Sequence, residues 1–542
     1  MQQVRSGIKS ESEAVTLAAG RMALGTLSSR ILGLFRDILL TSLFSRNVTD
    51  AFVVAFRLPN LFRRVLGEGS IAAAFVPLYS GHRMQPALAK AFARVAGFAL
   101  LASAAALTVL AIVMMRPLLA HLVTGPEFAL DSAQFEFTLW LGRLIFGYFF
   151  LVTSYAFVSA IAQAHGRFFW PAVAPALFNL LLIISMFMPS LRVSGDQLAW
   201  GVLAGGLTQN IMAIWAVGPE LRDIFRSAPM PEALRIEVRV EVRRFFRNLV
   251  PAIAGLSGGQ AVALLNIYFA SQLAAGALSF IYLGDRLLEL PLSLVAVSLG
   301  SALLPTLSRY WIEKKHVDFV ENFFAQAEVL FFLLLPCAIG LWFLAEPIVR
   351  VLFQHGLFRE SEVMMTTLVI QINAIILIFL GFSRLMLAGL HAARSLWAGA
   401  SLSFASLGFH FFVARYLLEQ EASLKQLMLA TLFTSIATSI GLGLLLMFSL
   451  RRHFYQSNEV FSVARGLLSM AKPLLVFVAR LTPPVVILVL VLIGAKRLWL
   501  DEMGVGFNLG VALATAILAG AASYLATGRF CRAGFFKARH GQ

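Results

Sequence analysis

Apolar windows long enough to cross a bilayer recur along almost the whole chain. They centre near positions 32, 66, 104, 150, 180, 207, 260, 293, 334, 377, 405, 437, 482 and 518. A spanning helix needs about 20 largely apolar residues, and backbone in lipid must satisfy its own hydrogen bonds, which favours helices. The windows therefore predict an all-α polytopic membrane protein with about 14 transmembrane helices. Only 13% of residues are charged and 59% are hydrophobic, against roughly 25% charge in an ordinary soluble domain.

A net charge of +16 in a soluble protein would suggest nucleic acid, so the basic residues are first tested against topology. With the N-terminus in the cytoplasm, 26 lysines and arginines fall in inner loops against nine in outer loops. The positive-inside rule then sets both termini in the cytoplasm and absorbs most of the charge without nucleic acid. Cys337 and Cys531 give neither a disulfide framework nor zinc spacing. The first apolar run follows a polar segment, 1–20, and carries Arg30 and Arg36, unlike the clean core of a cleavable signal. The N-terminus is expected to be retained.

The longest charged connection divides the first twelve windows into six and six, which sets the expected organisation. Residues 1–219 form an N-terminal lobe, 220–247 a cytoplasmic linker, 248–452 a C-terminal lobe, and 453–542 two further helices with a basic tail. Within the linker, Ile236–Arg243 alternates with period two as a strand would, but an isolated strand has no sheet to join. The lobes resemble each other faintly. Arg57 precedes Phe75-Val-Pro-Leu-Tyr-Ser80 and Arg286 precedes Leu303-Leu-Pro-Thr-Leu-Ser308, at nearly equal distance from Pro77 and Pro305. Duplicated transporter halves leave such traces, with the substrate site expected near the interface between the halves.

Charge inside the windows points to function. The mostly apolar stretch 27–80 carries Arg30, Arg36, Asp37, Arg57, Arg63, Arg64 and Glu68. An arginine at bilayer depth costs roughly 2.5–3.5 kcal/mol on insertion scales, so such groups face a bundle interior or a watery cavity. Arginine's planar fork suits an anionic group with several acceptor oxygens. Arg30 and Arg36 lie about 9 Å apart along a helix and roughly 240° around it, and Gly33 between them permits a bend or a close helix contact. Asp37 and Glu68 read as charge partners that hold arginines in place. Asp285 and Glu289 flank Arg286, and the spacing of three to Glu289 allows a helical pair. Arg46 and Arg83 read as topology determinants, Arg57 is left open between snorkelling and function, and Arg143, Arg384 and Arg480 receive no role.

Ser29-Arg-Ile-Leu-Gly-Leu-Phe-Arg-Asp37, Thr49–Arg64, and Gly67-Glu-Gly69 through Ala74-Phe-Val-Pro77 resemble the bacterial lipid II flippase family, MurJ (MviN). So do Gly284-Asp-Arg-Leu-Leu-Glu-Leu-Pro291, Leu304–Ser308 and Val351-Leu-Phe-Gln-His-Gly-Leu-Phe358. The resemblance covers essentially the whole chain. It implies movement of undecaprenyl-pyrophosphate-linked lipid II from the inner to the outer leaflet of the cytoplasmic (inner) membrane, by alternating access between two lobes. Implied substrate-binding residues are Arg30, Arg36, Arg63 and Arg286, with Asp37 beside Arg36 and Asp50 at the outer end of the first hairpin. The last two helices would add a groove for the lipid tail. Implied partners are lipid II, membrane lipids and cell-wall synthesis proteins. Some family members place an aspartate of a sodium site in the seventh span, where this chain has Asn266; sodium coupling is not expected.

Other function classes fit less well. Leu256-Ser-Gly-Gly-Gln260 reads like an ABC-ATPase signature, but no Gly-Lys-Ser/Thr supplies a phosphate loop. A lipid phosphatase or glycosyltransferase needs metal-binding or basic carboxylates, or a histidine nucleophile, and no such cluster is visible. Neither a catalytic group, a metal nor a cofactor is expected. A drug exporter of the same superfamily would move organic cations, which a cluster of arginines repels; an exporter of another lipid-linked oligosaccharide would share the charge logic. A noncatalytic scaffold would leave the intramembrane arginines without a purpose.

Overall fold

The computed structural model describes residues 28–531, except 83, 168, 192–193, 227–231, 394, 457–459 and 501–506. The polar N-terminal segment lies outside the described residues. Among those described, the regular structure is helical with no strand. The chain divides into two compact units, Met1–Leu278 and Ser279–Gln542.

The first unit begins with α1 (28–43) and a broken span: α2 (Arg46–Phe62), a π-helical turn π1 (Arg63–Ser70) and α3 (Ile71–Gly81). It continues through α4 (Pro86–Val113), the short α5 (Met115–Leu122), α6 (Ala133–Ile145), α7 (Gly147–Ala164), α8 (Phe169–Met186), α9 (Asp196–Ala216), α10 (Gly218–Arg226) and α11 (Glu232–Ala270). α12 (Ala277–Pro291) opens a second broken span, continued by π2 (Leu292–Val297) and α13 (Ser298–Ile312). The rest of the second unit is α14 (His316–Phe343), α15 (Ala345–Phe353), α16 (Glu360–Ala392), α17 (Leu396–Gln420), α18 (Leu424–Gln456), α19 (Val460–Ala495), π3 (Lys496–Leu500) and α20 (Phe507–Phe530).

All fourteen predicted window centres fall inside helices. Among the described residues, nine helices are long and apolar enough to cross a membrane, or ten when α9 and α10, bent by 81°, count together. The segments that fall short of that standard are α1, α2–π1–α3, α11 and α12–π2–α13. Three of these four carry the predicted site residues, and the breaks leave α2, α3, α12 and α13 only 17, 11, 15 and 15 residues long.

In the first unit, α1, α2, α7, α8 and α9 share a core containing Leu40, Phe52, Phe56, Tyr148, Phe178 and Val202. Phe56 stacks on Phe178 at 6.1 Å and Tyr148 sits 5.0 Å from the same ring. Inside a bilayer such contacts act through packing, since lipid tails are as apolar as the core, and small residues let backbones approach. Gly205 of α9 shows this: a Cβ there would lie 3.1 Å from the Phe178 carbonyl oxygen and 3.2 Å from its Cα. Ile236–Arg243, read as linker because an isolated strand has no sheet to join, lies within the long helix α11. Its Val238 is buried against Leu88 and Ala91 of α4. The Leu256–Gln260 segment is also part of α11, and its side chains lie outside the described residues.

In the second unit α19 and α20 pair and pack on α14 through Phe332, Phe477, Leu488, Leu513 and Tyr524. The Tyr524 hydroxyl donates to the Phe332 carbonyl at 2.9 Å. The two units repeat one device at a loop end. Arg116 of α5 donates to Glu136 in the first turn of α6 at 2.7 Å, and Arg350 of α15 pairs with Glu360 in the first turn of α16. The Glu360 hydrogen bond raises the Arg350 pKa above its ordinary value.

Candidate functional site

The predicted arginines occupy two kinds of place: one apolar helix, and two broken helices at or before the break. Arg36 of α1 is only 2% exposed and Asp37 is fully enclosed. Its Nε and Nη2 both donate to Asp37 Oδ1, at 2.9 and 2.6 Å, and its Nη1 donates to Asn179 Oδ1 of α8 at 3.0 Å. A buried guanidinium without such partners would be far more costly than the pair, because the whole desolvation penalty would stand uncompensated. Asn179 uses its other end as well: Nδ2 donates to the Ser29 carbonyl at 2.9 Å. Gly33 lies at this contact, where a Cβ would sit at an ordinary contact distance of 3.4 Å from Asn179 Nδ2. Arg30, one turn and a half ahead of Arg36, is half-buried.

Arg63 is the first residue of π1, and its Nε donates to Asn60 Oδ1 of the preceding turn at 2.9 Å. Arg57 and Arg64 are half-buried on the same broken span; the side chain of Glu68 lies outside the described residues. A π-turn inside an α-helix is rare and recurs at functional sites, because it widens the backbone and frees groups from the regular ladder. At the N-terminal end of this span Asp50 is buried, and its Oδ2 accepts the Gly276 amide at 2.7 Å, with Arg46 Nη1 donating to the neighbouring Ala275 carbonyl at 3.4 Å. Gly276 has φ +90°, a conformation that favours glycine.

In the second unit Arg286 lies one and a half turns before π2. Its Nη1 meets Glu289 Oε2 at 3.4 Å, its Nη2 donates to the Tyr282 hydroxyl at 3.2 Å, and its guanidinium stands 5.3 Å from the Tyr282 ring. Asp285 Oδ1 accepts a long 3.5 Å contact from Asn373 Nδ2 of α16. Gly284 allows the asparagine in, with a hypothetical Cβ 3.2 Å from Asn373 Nδ2. Each broken span thus holds an arginine at or before its π-turn, and the Arg57–Pro77 and Arg286–Pro305 intervals of the sequence repeat bracket π1 and π2.

Sequence reasoning missed Asn60, Asn179, Asn373 and Tyr282, the neutral partners of the charged groups. A lone asparagine within an apolar window, as in Leu-Phe-Asn179-Leu, is the signal that marks them. Among the described residues no cluster of three or more His, Cys, Asp or Glu offers a metal site. Asn266 is half-buried on α11. Each unit offers fixed positive charge beside polar side chains on its own helices.

Comparison with known proteins gives this arrangement a family. The family model described as lipid II flippase MurJ matches residues 39–525. A probable lipid II flippase MurJ from Bdellovibrio bacteriovorus is 40% identical over 463 residues, covering 83% of this chain and 85% of that protein. The lipid II flippase MurJ of Burkholderia cenocepacia is 31% identical over 382 residues, or 68% of this chain and 72% of its own length. Among solved structures, an inward closed lipid II flippase MurJ superimposes with a TM-score of 0.70 at 20% identity, covering 94% of this chain and 98% of that one. An inward-facing multidrug MATE transporter aligns with a TM-score of 0.64 at 12% identity, covering 80% of this chain and 99% of that one, which relates the folds alone. The chain is a multi-pass membrane protein and belongs to the lipid II flippase MurJ family.

Proposed function

We propose that this protein is a flippase that carries lipid II from the inner to the outer leaflet of the bacterial cytoplasmic membrane for cell-wall synthesis. It works by alternating access, with both termini cytoplasmic. The observation that carries the reading is the placement of two half-buried arginines held by neighbouring side chains on broken spans, Arg63 at the start of one π-turn and Arg286 one and a half turns before the other. Broken helices present backbone and side-chain polar groups where lipid would otherwise forbid them. Their guanidinium forks, with Arg30 of α1, would grip the pyrophosphate by charge-assisted hydrogen bonds, strengthened where water is excluded. Arg36, enclosed by Asp37 and Asn179, joins them as a charge whose present partners hold it ready. Asp37, Asp50, Glu68, Asp285 and Glu289 act as supporting partners rather than proton carriers. The groove for the lipid tail is assigned to α19 and α20.

The protein does this without covalent chemistry, since translocation asks only that charge and shape be recognised on alternate sides. The superfamily reading as a cation exporter is opposed by charge sign, because arginines repel organic cations. The test depletes the native protein, expresses Arg30→Ala, Arg63→Ala or Arg286→Ala at normal abundance, and measures lipid II in the outer leaflet. Loss of outer-leaflet lipid II with normal membrane insertion is expected. Full activity in all three variants overturns the proposal.

A further inference from the structure

The amide of Asn179 touches α1 at two points separated by nearly two helical turns: the Ser29 carbonyl, beside Arg30, and the Arg36 guanidinium. It is itself buried, at 8% exposure, and it stands on α8, whose Phe178 and Leu182 anchor it in the first unit's core. One amide used as donor at one end and acceptor at the other fixes both rotation and register. A slide of α1 by one residue, about 1.5 Å and 100°, would break both bonds. Gly33 faces the same amide, so no side chain of α1 keeps the two helices apart there. From this geometry we infer that Asn179 is a positioning residue for transport: it sets the rotation of α1 and so the direction in which that helix presents its arginines. Arg36 is then the anchor of α1 in the state described, and Arg30 the group it aims. The inference rests on the flippase reading for its transport consequence but not for its structural one.

The experiment therefore has two arms. In the first, spin labels are placed at exposed positions of α1 and α8, Phe35→Cys and Leu180→Cys, in a background carrying Cys337→Ser and Cys531→Ser. Pulsed electron resonance in lipid nanodiscs reads the interhelix distance with and without Asn179→Ala. A shifted or broadened distribution is expected, and an unchanged one overturns the inference whatever the cargo. In the second arm, reconstituted protein is assayed for equilibrium binding of lipid II and for its rate of translocation. A residue that acts by aiming Arg30 should mimic its loss: Asn179→Ala is expected to lower affinity and translocation rate by about tenfold each, and Asn179→Ala/Arg30→Ala to fall no further than Arg30→Ala alone. Additive losses in the double variant would place the amide against the cargo itself and overturn the positioning role, as would native values for Asn179→Ala. Asn179→Ser, whose hydroxyl is too short to reach both partners, guards against a variant that fails to fold and is expected to act in the same direction. Failure of the native protein to move lipid II would instead defeat the flippase reading and leave the first arm intact.

Discussion

Replacing Arg36 by methionine removes a cation that is paired with an enclosed carboxylate. Arg36 and Asp37 have side-chain exposures of 2% and 0%, and two of the guanidinium's nitrogens converge on Asp37 Oδ1. Breaking a buried pair by deleting one partner costs about 3–5 kcal/mol, because the remaining charge keeps its desolvation penalty. Asn179 Oδ1 also loses its donor, which alone would cost about 1–3 kcal/mol; the two losses share one site and do not add in full. We expect Arg36→Met to destabilise the protein by about 3–5 kcal/mol. The double variant Arg36→Met/Asp37→Asn should recover at least about half, since neutral groups of similar volume replace a buried pair at little cost. The assay is a denaturant titration in mixed micelles, run on the native chain, both single variants and the double variant so that the coupling term is read directly. A loss below about 1 kcal/mol for Arg36→Met, the scale of an exposed pair, would refute the reasoning, as would a double variant no more stable than Arg36→Met.

Three further outcomes follow from the geometry. Gly205→Ala forces a methyl against the Phe178 carbonyl, which backbone cannot yield cheaply, and should destabilise by about 1–3 kcal/mol in the same titration; Gly218→Ala, with nothing within 4 Å, serves as the control. Asp50→Ala removes the acceptor of the Gly276 amide and should speed hydrogen exchange in the 270–280 peptide by about 5–150-fold, the equivalent of about 1–3 kcal/mol. Unchanged exchange there would show that the bond does not restrain the loop. Asn266→Ala should leave any ion dependence of transport unaltered; loss of a sodium-dependent signal in that variant would contradict the expectation drawn from the absent aspartate.

Much of the fold was legible because long apolar windows leave little choice in lipid: each of the fourteen centres lies within a helix. The Arg286–Glu289 contact was legible too, since a spacing of three fixes proximity on any helix. What the windows concealed was the way the second and eighth of them break. A π-turn depends on packing around a particular turn, and hydropathy averaged over some twenty residues is blind to it. The repeat spacing marked the place of both breaks without revealing their form. The partners of Arg36 and Asp50 were hidden for a different reason. Asn179 is 143 residues from Arg36 and Gly276 is 226 from Asp50, and nothing local in the sequence encodes contacts at such separation. An amide carries no charge to balance, so charge counting finds Asp37 and passes over Asn179.

The wide turns π1 and π2 have a mechanical corollary. A π-turn holds one residue more than the α-turn it stands in for, so exchanging one for the other rotates the distal half of the rod by about 100° and draws it along by about 1.5 Å. The backbone bonds within 63–70 or 292–297 would change, and buried side chains beyond the break, such as Phe75 against Phe92 and Phe157, would repack. α3 with Pro77, or α13 with Pro305, would turn like a key while α2 or α12 stayed still. Each half of the molecule would thereby have a place to swivel without parting its helix ends.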